Sequence, residues 1–320
     1  MAKCLLTDKK NFYKANLHCH TTVSDGADTP EQMKESHKAH GYSILAYSDH
    51  EKIVSHSDLR DKDFLPLTAC ELGVTAKDPD RIYPPTCHFN IISPTEEPAY
   101  LPEWKDRKYS TESISSMMQT AREHGYFVIY NHPVWSCESS YTYLNYNGMH
   151  AFEIMNNGSL SSGWNEHNDN IYDEMLRHGK KLFAAAGDDN HLSFGYCSNK
   201  LCSDSAGTYT MINAEKLDYG TVMEALFKGD FYASEGPEIY ELSYDNNKVY
   251  VRTSECVSIF CCNAGRRRGI AHMGPEKKLL TEAEFELRPG EIYFRLTLID
   301  KDGKKAYSNA YFIDELNRDI

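Results

Sequence analysis

Residues 14–26 read Lys14-Ala15-Asn16-Leu17-His18-Cys19-His20-Thr21-Thr22-Val23-Ser24-Asp25-Gly26. The first seven alternate as a strand does, and side chains two apart on a strand point the same way, roughly 7 Å from one another. Two imidazoles, His18 and His20, can therefore reach one metal ion. The turn that follows carries a carboxylate, Asp25, just beyond the strand.

The same grouping recurs downstream. Expected strands are 14–20, 43–48, 65–71, 87–92, 126–131, 151–155, 182–186 and 208–212. Asp49-His50 follows the second and Glu71 ends the third. His88 begins the fourth, Asn131-His132-Pro133 follows the fifth, and Asp188-Asp189-Asn190-His191 follows the seventh. A single histidine at a strand end is ordinarily a hydrogen-bonded core or surface group. Here six strand ends together supply nine candidate ligands: His18, His20, Asp25, His50, Glu71, His88, His132, Asp189 and His191. In α/β barrels the loops after the strands share one face, where such groups converge. Cys19, Cys70 and Cys87 are each one position from a candidate ligand, so on strands they face the opposite side as small buried residues. The donor set is then nitrogen and oxygen only, which suits Zn, Mn, Fe or Ni.

Helix signals separate several of these strands. Thr29 is an N-cap with Pro30 at the first helical position and Gln32 closing a capping box, and Gly41 ends that helix. Ile114, Met117, Met118 and Ala121 mark one face of a second helix that stops at Gly125. A third runs from Asp218 through Val222, Ala225 and Leu226 to Gly229. This alternation predicts an α/β barrel or a doubly wound sheet for about the first 235 residues. After Ser234-Glu235-Gly236-Pro237 the pattern becomes short strands: 239–244, 248–253, 257–262, 284–288, 292–300 and 306–313, with hairpin signals at Asn246-Asn247 and Asp302-Gly303. Residues 1–235 are expected to form the main domain and 236–320 a small β-sandwich-like module.

The ordered set His18-x-His20 with Ser24-Asp25-Gly26, Ser48-Asp49-His50, Glu71, His88, Asn131-His132-Pro133 and Asp189-x-His191 resembles the motifs of the PHP (polymerase and histidinol phosphatase) metallohydrolases over about residues 14–235. The C-terminal strands, with Ala151-Phe152-Glu153-Ile154-Met155-Asn156, resemble a CehA/McbA-like branch. The resemblance implies a distorted (β/α)7 barrel with two or three divalent ions at one mouth. By position, His18, His20 and Asp189 would hold the first ion, and Glu71 would bridge it to a second completed by His88 and His132. Asp25, His50 and His191 would hold a third. Glu51 stands where the family usually has Asp or Asn, and Asp188 and Asn190 flank Asp189 where small residues are common.

Two cations sharing a carboxylate can lower the pKa of a shared water towards neutrality. The expected activity is hydrolysis of a small phosphate monoester, of the nucleotide or sugar phosphate class, by a metal-bound hydroxide. His167, in the irregular stretch 161–168, is the candidate proton donor, and Arg81 and Lys77 are candidate phosphate contacts. The alternatives are a carboxylic ester, carbamate or amide hydrolase on the same barrel, and a metal-binding interaction module without catalysis.

Composition bounds the partners. The chain has 320 residues, 41% apolar and 25% charged, which is globular, and no apolar run approaches membrane-spanning length. With 34 basic and 47 acidic residues the net charge is −13, which argues against a nucleic-acid polymer and leaves a small anionic substrate held by metal. The start lacks a secretory pattern, and ten cysteines without a C-x-x-C pair read as reduced thiols of a cytoplasmic protein. Arg266-Arg267-Arg268 is expected to be a solvated loop.

Overall fold

Start and stop signals place the helices. In the computed structural model, which describes residues 2–7, 9–98, 104, 107–195, 203–274, 276 and 278–318, Thr29 accepts from the Gln32 amide and Gln32 returns a bond to the Thr29 backbone. Ile114, Met117, Met118 and Ala121 are all buried on one helix face, each Ile or Met contributing roughly 1.5–3 kcal/mol. Asp218 caps a third helix, and Gly229 ends it at φ 74°, a left-handed conformation that glycine adopts without steric cost.

The elements in chain order are β1 (Lys3–Leu6), β2 (Asn11–Cys19), α1 (Pro30–Ala39), β3 (Ile44–Tyr47), β4 (Leu65–Thr75), β5 (Thr86–Ile92), α2 (Thr111–Glu123), β6 (Phe127–Tyr130), α3 (Ser140–Tyr143), β7 (Ala151–Asn156), α4 (Asn157–Ser161), α5 (Asp169–Arg177), β8 (Phe183–Gly187), β9 (Tyr209–Ala214), α6 (Tyr219–Lys228) and β10 (Phe231–Ser234). There follow β11 (Ile239–Asp245), β12 (Lys248–Cys256), β13 (Ser258–Asn263), β14 (Gly269–His272), β15 (Leu280–Glu286), β16 (Tyr293–Ile299), β17 (Lys305–Ser308), β18 (Tyr311–Phe312) and α7 (Ile313–Leu316). The fold is mixed α/β. Among the described residues the strands form one large sheet, in the order β14-β13-β16-β17-β10-β9-β2-β3-β4-β5-β6-β7-β8 with β18 beside β16, and a four-stranded sheet, β1-β11-β12-β15.

From β2 to β8 the large sheet curls. The Asp189 amide donates to the His18 carbonyl, and the His20 amide donates to the Asn190 carbonyl, so the segment after β8 returns to the end of β2. Pairing along this stretch is parallel except that β5 runs antiparallel to both β4 and β6. That reversal explains why His88 lies near the start of its strand while the others, apart from Glu71, lie at or beyond strand ends; β4 runs on to Thr75, past the expected end at Glu71, because it pairs with β5 that far. Small and aliphatic side chains fill the interior of the curl, among them Ala15, Leu17, Ala46, Ala69, Ile129 and Ala185.

Several elements differ from the sequence reading. β1 was not expected; it pairs with β11 and buries Leu6. The expected strand 284–288 is instead Leu280–Glu286, a strand that buries little besides Phe285 and so gives a faint pattern. The expected strand 306–313 breaks between β17 and β18. There the buried Asn309 accepts from the Ala184 amide at 2.7 Å and donates to the Gly229 and Phe231 carbonyls at 2.8 and 2.9 Å. These bonds to three other segments replace a strand ladder. The Asn246-Asn247 turn forms as read, both residues at positive φ of 46° and 66°.

The large sheet crosses residue 235 without a break, because β10 pairs with both β9 and β17. Beyond it, the two sheets face each other over a shared core that includes Leu242, Val251 and Phe285 from one and Ile259, Leu296 and Leu298 from the other. A buried ion pair joins this part to α5. Arg295 donates from Nε and Nη2 to the two oxygens of Asp173 at 2.7 and 2.9 Å, and from Nη1 to Thr297 at 2.8 Å. Removing one partner of such a pair strands a buried charge. Asp173→Asn or Arg295→Met is expected to cost about 3–5 kcal/mol in urea unfolding, with the double substitution milder than the sum. A loss below about 1 kcal/mol for either single change contradicts this role.

Candidate metal centre

His18 at the end of β2 and His20 just beyond it stand with their Nε2 atoms 3.2 Å apart. Glu71, near the middle of β4 and buried, lies beneath them. Its Oε1 is 3.2 Å from His18 Nε2, 3.2 Å from His88 Nδ1 and 3.1 Å from His132 Nε2. Its Oε2 is 3.3 Å from His20 Nε2 and 3.1 Å from His50 Nδ1. Asp189 Oδ1 completes the inner group at 3.2 Å from His18 and 3.1 Å from His20. Asp25 stands at the outer edge, half exposed, 3.6–3.7 Å from His20, His50 and His191.

All nine residues singled out from sequence therefore lie at one rim. Ligands held ~2.0–2.2 Å from a common ion stand ~3–3.6 Å from one another in tetrahedral or octahedral arrangements. The inner distances have that spacing, and Glu71 with its two oxygens facing different imidazoles is placed to bridge. Two observations fit divalent cations. Buried His20 Nδ1 has no hydrogen-bond partner among the described residues and faces the Asp25–His50–His191 group. The ion-pair partners of Glu71, Asp189 and Asp25 among the described residues are all histidines, so no lysine or arginine neutralises the carboxylates.

Local sequence choices make room for this crowding. A Cβ on Gly187 would lie 2.5 Å from His18 Cβ, and one on Gly73 would lie 3.1 Å from the His88 ring. Asp189 has φ 51°, an uncommon conformation for a non-glycine residue, held by the Asp189-to-His18 backbone bond. Cys19, Cys70 and Cys87 are buried free thiols facing the packing layers, as expected from their alternation with the ligands.

Supporting polar residues were not distinguished by sequence pattern. Glu153 on β7 accepts at Oε1 from His18 Nδ1 at 2.9 Å, and at Oε2 from the His132 amide and Asn156 Nδ2. Both its oxygens are thus occupied, and it orients His18 so that Nε2 faces the centre. Asn131 donates to Glu71 Oε1 at 2.8 Å, and Asn156 donates to Asp189 Oδ2 at 3.1 Å. Asp49 and Asp188, each next to a candidate ligand in sequence, serve loops instead. Asp49 accepts from the Thr21 and Ser24 amides, and Asp188 from those of Ala206, Gly207 and Thr208. The only available signal for Glu153 was a charge inside an otherwise apolar strand.

The structure does not bring the other three candidates to the rim. His167 faces the C-terminal strands, 3.4 Å from the Tyr307 hydroxyl and 3.7 Å from Glu235, because its backbone bridges to Met155 and turns the ring outward. Arg81 and Lys77 are exposed on the β4–β5 hairpin, and Arg81 pairs with Asp78 at 3.2 Å. The cleft over the centre is about 410 Å³. Besides the candidate ligands, Trp135, Gly158, Ser159, Ser161, Ser162, Leu192 and Asp204 line it, and no lysine or arginine among the described residues does.

The charges are interdependent. Burial disfavours the charged form of His18, but Asp189, Glu71 and Glu153 outweigh it and hold its pKa well above the ordinary range. Burial opposes, and Asp189 and Glu71 raise, His20 to about 9; the same carboxylates bring His132 to about 9. Glu71 and Asp189 are correspondingly held well below the usual carboxylate range, against burial, by the imidazoles.

No family model matches the sequence, and no curated protein does. Several solved structures are similar to it, three of which are as follows. A two-domain protein from Bacteroides vulgatus containing a predicted PHP-like metal-dependent phosphoesterase is 15% identical, with TM-score 0.44 over 96% of this chain and 96% of that one. A candidate metal-dependent phosphoesterase from Bifidobacterium adolescentis is 14% identical, with TM-score 0.37 over 57% of this chain and 90% of that one. An amidohydrolase from Chromobacterium violaceum, with sulfate bound and no metal, is 13% identical, with TM-score 0.40 over 59% of this chain and 93% of that one.

Two outcomes follow from the geometry. In metal-free protein the raised histidines contribute stability that is complete below the unfolded histidine value of about 6.5 and is lost as pH rises through about 9. Cations displace those protons. The melting temperature in chelator is expected to fall between pH 6.5 and 9, and the increase on adding Mn or Zn to grow over the same window. A metal-free melting temperature that stays flat contradicts the assignment. Glu153→Gln should weaken metal binding about 10- to 100-fold by chelator competition, and unchanged affinity would remove its orienting role.

Proposed function

We propose that the chain is a metal-dependent phosphoesterase that hydrolyses a small phosphate monoester. The observation that carries this reading is the shared carboxylate: Glu71 offers one oxygen to His18, His88 and His132 and the other to His20 and His50. His18, His20 and Asp189 would hold one divalent ion, His88 and His132 a second across Glu71, and Asp25, His50 and His191 a third. Bound there, two or three such ions would supply an activated water and neutralise the phosphate.

The chain's own residues set the rest. The carboxylates that line the cleft would repel a phosphate dianion, and no lysine or arginine among the described residues lines it to offset them, so binding of one would depend on loaded cations. Donors enough for two or three cations would neutralise more charge than a neutral ester carries, which favours phosphate over carboxyl chemistry. Trp135 and Leu192, each about two-fifths exposed at the mouth, give the leaving group an apolar wall, and Ser159, Ser161 and Ser162 give it hydroxyl partners. The volume suits a substrate of sugar phosphate or nucleotide size.

The same proposal takes β2 to β8 as a distorted (β/α)7 barrel and residues 236–320 as a β-sandwich-like module. The backbone bonds between the ends of β2 and β8 support closure. No helix of the described residues is long and apolar enough to cross a membrane. A cytoplasmic site, with reduced cysteines and a small anionic partner, is part of the proposal.

The test is a substrate panel on metal-loaded protein: phosphate monoesters, diesters, carboxylic esters, carbamates and amides. Phosphate release from monoesters is expected, reduced on the order of 10²-fold or more in Asp189→Asn. Turnover of carboxyl, carbamate or amide substrates alone overturns the phosphate assignment. Full metal occupancy without any hydrolysis overturns catalysis in favour of an interaction module.

A further inference from the structure

Strands β14, β13, β16 and β17 lie side by side, and one face of them belongs to the sandwich core through Ile259, Cys261, Leu296, Leu298 and Ala306. The opposite face is read from the register. Ile270, Phe260, Thr297 and Tyr307 form one row straight across the four strands. Two residues along the strands, Ile299 pairs with Lys305 in the next row. At the other end of this face the Arg295–Asp173 pair anchors α5, which covers that part of the sheet and leaves the remainder open.

What remains open is a cavity of about 310 Å³ with an apolar floor of Phe260, Ile270 and Ile299 and three cations around it, Arg266, Arg268 and Lys305. Asp169, at the start of α5, is the one carboxylate among its lining residues. Arg268 spends part of its charge on Asp173, at 3.3 Å. No carboxylate among the described residues is within ion-pairing distance of the Arg266 guanidinium or the Lys305 ammonium. Unpaired positive side chains at the margins of an aromatic surface are unexpected in a chain of net charge −13. Arg266 and Arg268 come from the run that sequence reading assigned to a solvated loop. That loop is the exposed β13–β14 turn, as expected, and it carries them to the edge of the platform, opposite Lys305.

We propose that this face is a second binding site, separate from the metal centre, for a small organic phosphate that carries a flat aromatic ring. The guanidinium groups match a phosphate in charge and in hydrogen-bond geometry. Phe260, half-buried on the open sheet face with the His272 ring edge-on at 5.4 Å, offers a surface on which a ring stacks. Three cations against one carboxylate suit a dianion better than a single carboxylate, and the volume admits a mononucleotide, not a folded polymer.

The probe is the phosphonate analogue of adenosine 5′-monophosphate with a methylene in place of the ester oxygen, which no phosphoesterase can cleave. Calorimetric titration of the full-length, metal-loaded protein is expected to show saturable binding below about 1 mM. The double substitution Arg266→Glu with Lys305→Glu, both at the edge of the platform, is expected to weaken it at least about tenfold with the melting temperature unchanged. Phe260→Ala should weaken it by about the same factor, and adenosine or methylphosphonate alone should each bind at least about tenfold more weakly. Equal probe binding by the wild type and the charge-reversed variant places it elsewhere and overturns the proposal, as does the absence of saturable binding. A short single-stranded oligonucleotide binding more than about tenfold tighter than the probe would also overturn it, in favour of a polymer site. Probe held at the metal centre is identified by its loss in chelator, and each readout above is taken on the binding that persists in chelator, so failure of this site and failure of the proposed hydrolysis are distinguishable.

Discussion

One carboxylate organises the main part of this molecule. Glu71 is buried, and five imidazoles delivered by β2, β3, β5 and β6 or the loops after them approach its two oxygens within 3.3 Å. Leaving an ionised carboxylate in such a place without cations is prohibitively costly. Without metal, the histidines themselves hold protons, which is why His20 and His132 titrate near 9. With metal, the same nitrogens become ligands and the protons leave. The curl of the sheet, the antiparallel β5 and the narrow contact at Gly187 all serve to bring those imidazoles to one point.

The clustering of the candidate ligands was legible because their chemistry is concentrated in a few residue types at or near strand ends. His18-x-His20 fixed two side chains on one face, and the alternation of Cys19, Cys70 and Cys87 with ligands fixed which face was the other. Helices with strong punctuation, such as Thr29 to Gly41, were equally legible. What escaped is what depends on contacts between distant segments. Glu153 orients His18 across 135 positions of chain, and only its charge inside an otherwise apolar strand marks it locally. Asn309 breaks a strand to serve three other segments, and β1 finds its partner in β11, more than 230 residues away. His167 is at the right place in sequence for a proton donor, but its ring turns towards Tyr307.

The C-terminal strands are joined to the rest more closely than their separate sequence grammar suggests. Backbone pairing passes from β9 through β10 to β17, and the Arg295–Asp173 pair ties β16 to α5. α5 follows directly on the segment 164–168, in which Glu166 accepts from the Trp135 amide at 2.6 Å beside the cleft. The apolar wall of the cleft and the cationic platform are therefore built on neighbouring stretches of chain. Two surfaces of opposite character result: a cleft lined by carboxylates and imidazoles, and a platform edged by guanidinium and ammonium groups.

The central claim is that Glu71 joins two cation sites. Metal analysis by mass spectrometry on purified wild-type and Glu71→Gln protein, each loaded with Mn or Zn and freed of excess ion, tests it directly. The account predicts two or three ions per chain in the wild type and at most one, at Asp25, His50 and His191, in Glu71→Gln. A wild type that retains no ion, or a variant that retains the full complement, would contradict it.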